Sequence, residues 1–145
     1  MPDLRSTMSA VLAIGRILFA LIFINSGISH LTKLEAMTGY AKYKKVPAAK
    51  LSVIVSGLMI LVGGIYVALG IYADLGALLI AIFLIPTALI MHTFWKETDP
   101  TAKQNASISF FKDIALAGAA LIIFAMVGSG ADFGWHITSA FFNFK

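Results

Sequence analysis

Besides Arg16, four ionisable side chains stand inside otherwise apolar stretches of this sequence: His30, His92, Lys112 and Asp113. An imidazole exchanges a proton near neutral pH, an ammonium stabilises a negative oxygen and a carboxylate orients either. The set therefore suits ligand binding or acid–base catalysis. Small polar groups accompany them: Asn25, Ser26 and Ser29 before His30, then Ser52 and Ser56, Thr87 and Thr93 beside His92, and Ser109 before Lys112. Trp95 follows His92 by three residues, which on a continuous helix puts the indole on the same face. Each residue also has a plainer role. His30 closes an apolar run and could simply reach lipid headgroups, Trp95 could anchor a span at the interface, and Lys112 could snorkel. Asp113 could complement the positive end of a helix beginning just before it. Cysteine is absent, which excludes thiolate nucleophiles, disulfides and Cys-ligated metal centres. No nucleotide-binding fingerprint is present, so neither a metal nor a nucleotide cofactor is expected.

The elements that must position these groups follow from composition. Of 145 residues, 59% are hydrophobic and only 12% are charged, with a net charge of +4 and a mean hydropathy of +0.90. That is more apolar surface than a core of this length hides, so the excess faces lipid. Long apolar stretches run over 8–31, 51–70, 75–95 and 108–128, each near the ~20 residues that cross the hydrocarbon as a helix. None alternates polar and apolar residues as a barrel strand would. The first run is too long for the core of a cleaved signal peptide and contains Arg16. The expected fold is a single all-α domain over 1–145, an integral membrane antiparallel four-helix bundle with an aromatic interfacial C-terminal segment.

Antiparallel spans bring the end of the first, the start of the second, the end of the third and the start of the fourth to one side. That side collects the polar set into a pocket, because ionisable groups in a membrane look inward toward partners or a cavity. It also carries Lys33, Lys42, Lys44, Lys45, Lys50, Lys96 and Lys103 in the first and third loops, against Arg5 and Lys145 at the other. The positive-inside rule then puts loops one and three in the cytoplasm and both termini outside. Lysines beside a membrane signal topology or anionic lipid rather than nucleic acid. Pro86 frees the carbonyl of Ile82 and bends the third span below His92. At the opposite end Arg16 needs an acceptor for a guanidinium that keeps its proton. Asp74, Asp132 and Tyr66 are its candidate partners, and Arg16 and Asp74 are read as structural polar groups. The residues after Gly128 are dense in aromatic rings, as in a segment that lies in the interface or docks on a partner.

Gly15-Arg16, Ser26-Gly27-Ile28-Ser29-His30, Val46-Pro47, the glycine-rich second span, His92-Thr93-Phe94-Trp95 and Phe110-Phe111-Lys112-Asp113 together resemble the DoxX family. These are small four-span prokaryotic membrane proteins that include the DoxD-type subunit of thiosulfate:quinone oxidoreductase. Many members carry Phe-x-Lys-Asn at the start of the last span; here a carboxylate, Asp113, stands where the amide would be. The resemblance implies a multi-pass protein of the prokaryotic cytoplasmic (inner) membrane that interacts with quinone as a subunit of a redox complex. His92 or His30 would then donate a proton, Lys112 would stabilise the reduced form, Trp95 would stack on the ring, and Asn25, Ser26 and Asp113 would complete the candidate site. Electrons would come from a partner membrane or redox protein. The alternative is a non-catalytic scaffold that binds partners through its helices and aromatic tail, and homo-oligomerisation is open on either reading.

Overall fold

A computed structural model describes residues 3–144; Lys145, counted above with the tail, lies outside the described residues. The described chain is helical: α1 (Leu4–Thr32), α2 (Leu34–Tyr43), α3 (Ala49–Leu69), α4 (Ala73–Met91), a 3-10 turn (Phe94–Lys96) and α5 (Pro100–Gly128). The four long helices are each apolar and long enough to cross a membrane. Their outer surfaces expose Leu18, Leu21, Leu89 and Ile122, the aliphatic coat that acyl chains require.

Local chemistry sets most boundaries. Asp3 caps α1, its Oδ1 accepting from Ser6 N at 2.7 Å, and Asp99 caps α5 through Ala102 N at 2.8 Å, with Pro100 in the first turn. Gly70 ends α3 in the left-handed region at φ 66°, and a Cβ there would lie 2.5 Å from that of His136, so both conformation and crowding demand glycine.

Neighbouring helices run antiparallel, with principal contacts from α1 to α3, α3 to α4 and α4 to α5. Small residues let them close. A Cβ on Gly27 would sit 2.7 Å from Leu61 Cβ, and one on Gly63 would sit 2.9 Å from the carbonyl of Gly76. At mid-depth Ala20, Phe23, Ile60, Ile80, Leu84 and Ala120 form a solid core. The small residues of α5 do not all serve this purpose. A Cβ on Gly118 meets nothing within 4 Å, so Gly118→Ala is expected to raise stability by about 0.5 to 1 kcal/mol through helix propensity. A higher thermal midpoint in detergent would register this; a lower one would mean that this face is packed.

One end of the bundle is closed by the tail after α5. The guanidinium of Arg16 donates to the carbonyl of Val67 at 3.0 Å and to that of Trp135. Ile137 N and Thr138 N both donate to Gly70 O, and Tyr72 N donates to Thr138 Oγ1 at 2.8 Å. Asp74, fully buried at the start of α4, accepts from Phe141 N at 2.9 Å and Phe142 N at 2.7 Å. Phe144 N then returns to Gly128 O. The tail therefore crosses from α1 to α4 and back to α5, strapping the four spans together.

Several expectations change here. The first loop contains a helix, α2, whose Leu34, Met37 and Ala41 pack on Ala49 and Val53 of α3. The third candidate span runs from Ala73 to Lys96, but its α-helix stops at Met91. Phe94 and Trp95 leave its axis to pack edge-on against Phe110, with ring centroids 5.4 and 5.7 Å apart. The fourth span starts at Pro100 rather than Ile108, which puts Lys112 and Asp113 well inside α5 and removes Asp113 from the positive helix end. Arg16 bonds main-chain carbonyls instead of Asp74, Asp132 or Tyr66, because the docked tail brings oxygens within reach before any carboxylate. The tail docks on its own bundle while still exposing Trp135, Ile137, Phe141 and Phe144.

Candidate functional site

Above the solid core, toward the lysine-bearing loops, the helices diverge around a cavity of about 960 Å³. Each wall is one helical stripe. Ile22, Ser26 and His30 come from α1, Ser52, Ser56 and Met59 from α3, and Phe83, Pro86, Thr87 and Ile90 from α4. Lys112, Asp113 and Leu116 line it from α5, and Met37, Tyr40 and Ala41 of α2 roof it. Tyr40 tethers that roof loosely, its hydroxyl donating to Met91 O at 3.5 Å. The rim residues Ile22, Val55, Ile82 and Ile90 are themselves exposed on the outer surface. The mouth therefore opens sideways, toward the hydrocarbon.

Two polar constellations interrupt the apolar lining. On the α1–α3 side, His30 Nδ1 lies 3.2 Å from both Val53 O and Ser56 Oγ. A carbonyl only accepts, so with Nδ1 carrying the proton toward Val53, the Nε2 atom is left as the free nitrogen. Gly57 sets this position, since a Cβ there would stand 2.6 Å from His30 Cβ. On the α4–α5 side, His92 Nε2 is 3.3 Å from Asp113 Oδ2, and Lys112 Nζ is 4.0 Å from Asp113 Oδ1. Asp113 is buried and Lys112 half-exposed, so the pair has one arm inside and one toward the rim. Its carboxylate is matched by an ammonium and an imidazole, the arrangement that makes a buried charge tolerable. The end of α4 at Met91 makes the pairing: released from the helix axis, His92 turns toward α5.

Of the candidate residues, Ser26, His30, His92, Lys112 and Asp113 meet at this cavity, and Asn25 and Trp95 do not line it. Asn25 is exposed on the outer side of α1, and Trp95 belongs to the aromatic cluster on α5. Arg16 and Asp74 lie at the strapped end. The roof was not anticipated, although Leu34, Met37 and Ala41 recur at helical spacing.

A model of the DoxX family matches residues 11–93, from early α1 through His92 and the 3-10 turn's first neighbour. The chain belongs to the DoxX family. It is also similar to the inner membrane protein YphA of Escherichia coli (strain K12), with 30% identity over 129 residues that cover 89% of this chain and 91% of the relative. No solved structure matches it. This DoxX family chain is thus an integral membrane protein with four candidate spans among its described residues. The match ends before α5, so Lys112 and Asp113 stand outside the segment that the family model covers.

Proposed function

We propose that the cavity binds a quinone and that the protein serves as the quinone-interacting subunit of a redox assembly in the inner membrane, with its lysine-rich end in the cytoplasm. The observation that carries this reading is a cavity open to lipid with an imidazole on each of two facing walls, His30 with Ser56 and His92 with Asp113. A quinone, when bound, supplies a carrier of two electrons and two protons whose two carbonyl oxygens lie at opposite ends of one ring. The residues present fit that group. Phe83 and Leu116 supply apolar wall for the ring, and the sideways mouth leaves room for an isoprenoid tail among acyl chains. At one end the free Nε2 of His30 can accept from a hydroxyl of the reduced form, while His92 and Asp113 hold a proton at the other. Lys112 provides positive charge at the rim, where negative charge on an oxygen would be stabilised. Electrons come from a partner redox protein, since the sequence has no thiol and no nucleotide fingerprint.

The test is retention. Wild-type protein purified in mild detergent is expected to carry quinone extractable into organic solvent, whereas His92→Ala and Lys112→Ala retain roughly tenfold less, the loss of one hydrogen bond to a charged group. Equal quinone in wild type and both variants, with unchanged thermal midpoints, would refute the site.

A further inference from the structure

His92 lines two cavities. Besides the apolar one, a smaller cleft of about 270 Å³ lies beside it, walled by Tyr40, Lys44, Glu97, Asn105 and Ser109. Met91 and His92, at the end of α4, line both spaces together with Tyr40 of the roof, and these three side chains form the partition between them. The smaller cleft is the more polar of the two: Lys44 Nζ lies 3.8 Å from Glu97 Oε1, and the Asn105 amide and the Tyr40 and Ser109 hydroxyls share the wall with Met91, Ala102 and Ala106. Such a lining offers water the several partners it needs. The large cavity is by contrast lined chiefly by apolar side chains, so the polar cleft is the wall beside it best suited to hold water.

The imidazole has the right connections on both sides. Its Nε2 faces Asp113 at 3.3 Å, and its Nδ1 has no protein partner among the described residues. With the Nε2 proton held toward the carboxylate, Nδ1 is the nitrogen left to accept from solvent. The charged and titratable groups around the ring are Tyr40 from α2, Lys44 from the end of α2, Glu97 after the 3-10 turn, and Lys112 and Asp113 from α5. Each carboxylate has its own lysine, Glu97 with Lys44 outside the partition and Asp113 with Lys112 inside it.

We propose that the smaller cleft is the proton port of the large cavity and that His92 carries protons through the partition. This rests on the reading that the large cavity takes a quinone, the ligand class that consumes and releases protons. A proton from bulk solvent, relayed by water in the cleft, reaches Nδ1, the Nε2 proton passes to the Asp113 carboxylate, and Asp113 hands it to a ligand oxygen. The imidazole starts and ends neutral, and proton exchange with cleft water, Nδ1 giving one up and Nε2 taking one, returns it to the first tautomer. Only N–H and O–H bonds are exchanged.

The test separates port from cavity by filling each in turn in the full-length chain. Ala106→Leu and, separately, Ala102→Leu fill the small cleft; Val55→Trp fills the mouth of the large one. Modification of His92 by diethyl pyrocarbonate is followed by mass spectrometry, with His136 at the strapped end as internal reference, and retained quinone is measured in the same samples. Either cleft-filling variant is expected to slow His92 modification about tenfold, because the reagent then waits for local opening, with His136 and quinone unchanged. Val55→Trp is expected to lose quinone while His92 reacts at the wild-type rate. In histidine-labelled protein, solvent exchange of the His92 ring N–H should slow in Ala106→Leu and stay unchanged in Val55→Trp. Undiminished His92 modification and exchange in both cleft-filled variants would overturn the port. Absence of quinone from wild type would sink the functional reading instead, and the behaviour of His92 would still decide whether the cleft admits water.

Discussion

Asp74→Ala is expected to lower stability by roughly 3 to 5 kcal/mol, the scale of removing the charged partner from a buried polar network. The carboxylate is fully buried, sits in the first turn of α4 and accepts from two main-chain N–H groups of the tail at 2.9 and 2.7 Å. Alanine leaves both donors without an acceptor in a region water enters poorly, and also removes the negative charge from the positive end of α4. Two readouts should move together in detergent: a much lower thermal midpoint, and new protease cleavage between Gly128 and Phe144. Asp74→Asn, which keeps an acceptor but not the charge, should fall between. A midpoint within a degree or two of wild type and an uncut tail would mean that the Arg16 and Gly70 contacts suffice to hold the strap.

Gly27→Ala is the second large effect and acts on the site through the helix spacing. A Cβ at this position would lie 2.7 Å from Leu61 Cβ and 2.8 Å from Gly57 O, so α1 and α3 must part. Overpacking of this kind costs roughly 2 to 3 kcal/mol, opposite in sign to the same substitution at Gly118. Parting these helices also carries His30 away from Val53 and Ser56, which it meets at 3.2 Å. Both the thermal midpoint and quinone retention should therefore drop. Wild-type values for both would show that the α1–α3 interface yields without cost.

The spans were legible because lipid leaves a simple mark: long runs without charge that must satisfy their own backbone. His30, His92, Lys112 and Asp113 were legible as a set for the same reason, since ionisable groups in such runs stand out. Boundaries were harder. Asp99-Pro100 is a cap with a first-turn proline, yet the polar residues that follow it, Lys103, Gln104 and Asn105, mask the helix until Ile108. The stop at Met91 goes with the packing of Phe94 and Trp95 on Phe110, a contact between residues distant in the chain. That contact moved Trp95 out of the cavity and turned His92 into it. The strap was illegible, because irregular backbone has no period and its partners, Arg16, Gly70 and Asp74, lie far away in sequence.

The sideways mouth between Ile22, Val55 and Ile82 has a consequence for how tightly anything must be held. A site reached from within the leaflet responds to how many guest molecules there are per phospholipid, and partitioning enriches a greasy guest there far above its level in buffer. Half-filling such a site demands only a loose grip. Loosely held guests leave fast, so a population of these proteins could trade occupants with a common pool as quickly as two-dimensional diffusion delivers them.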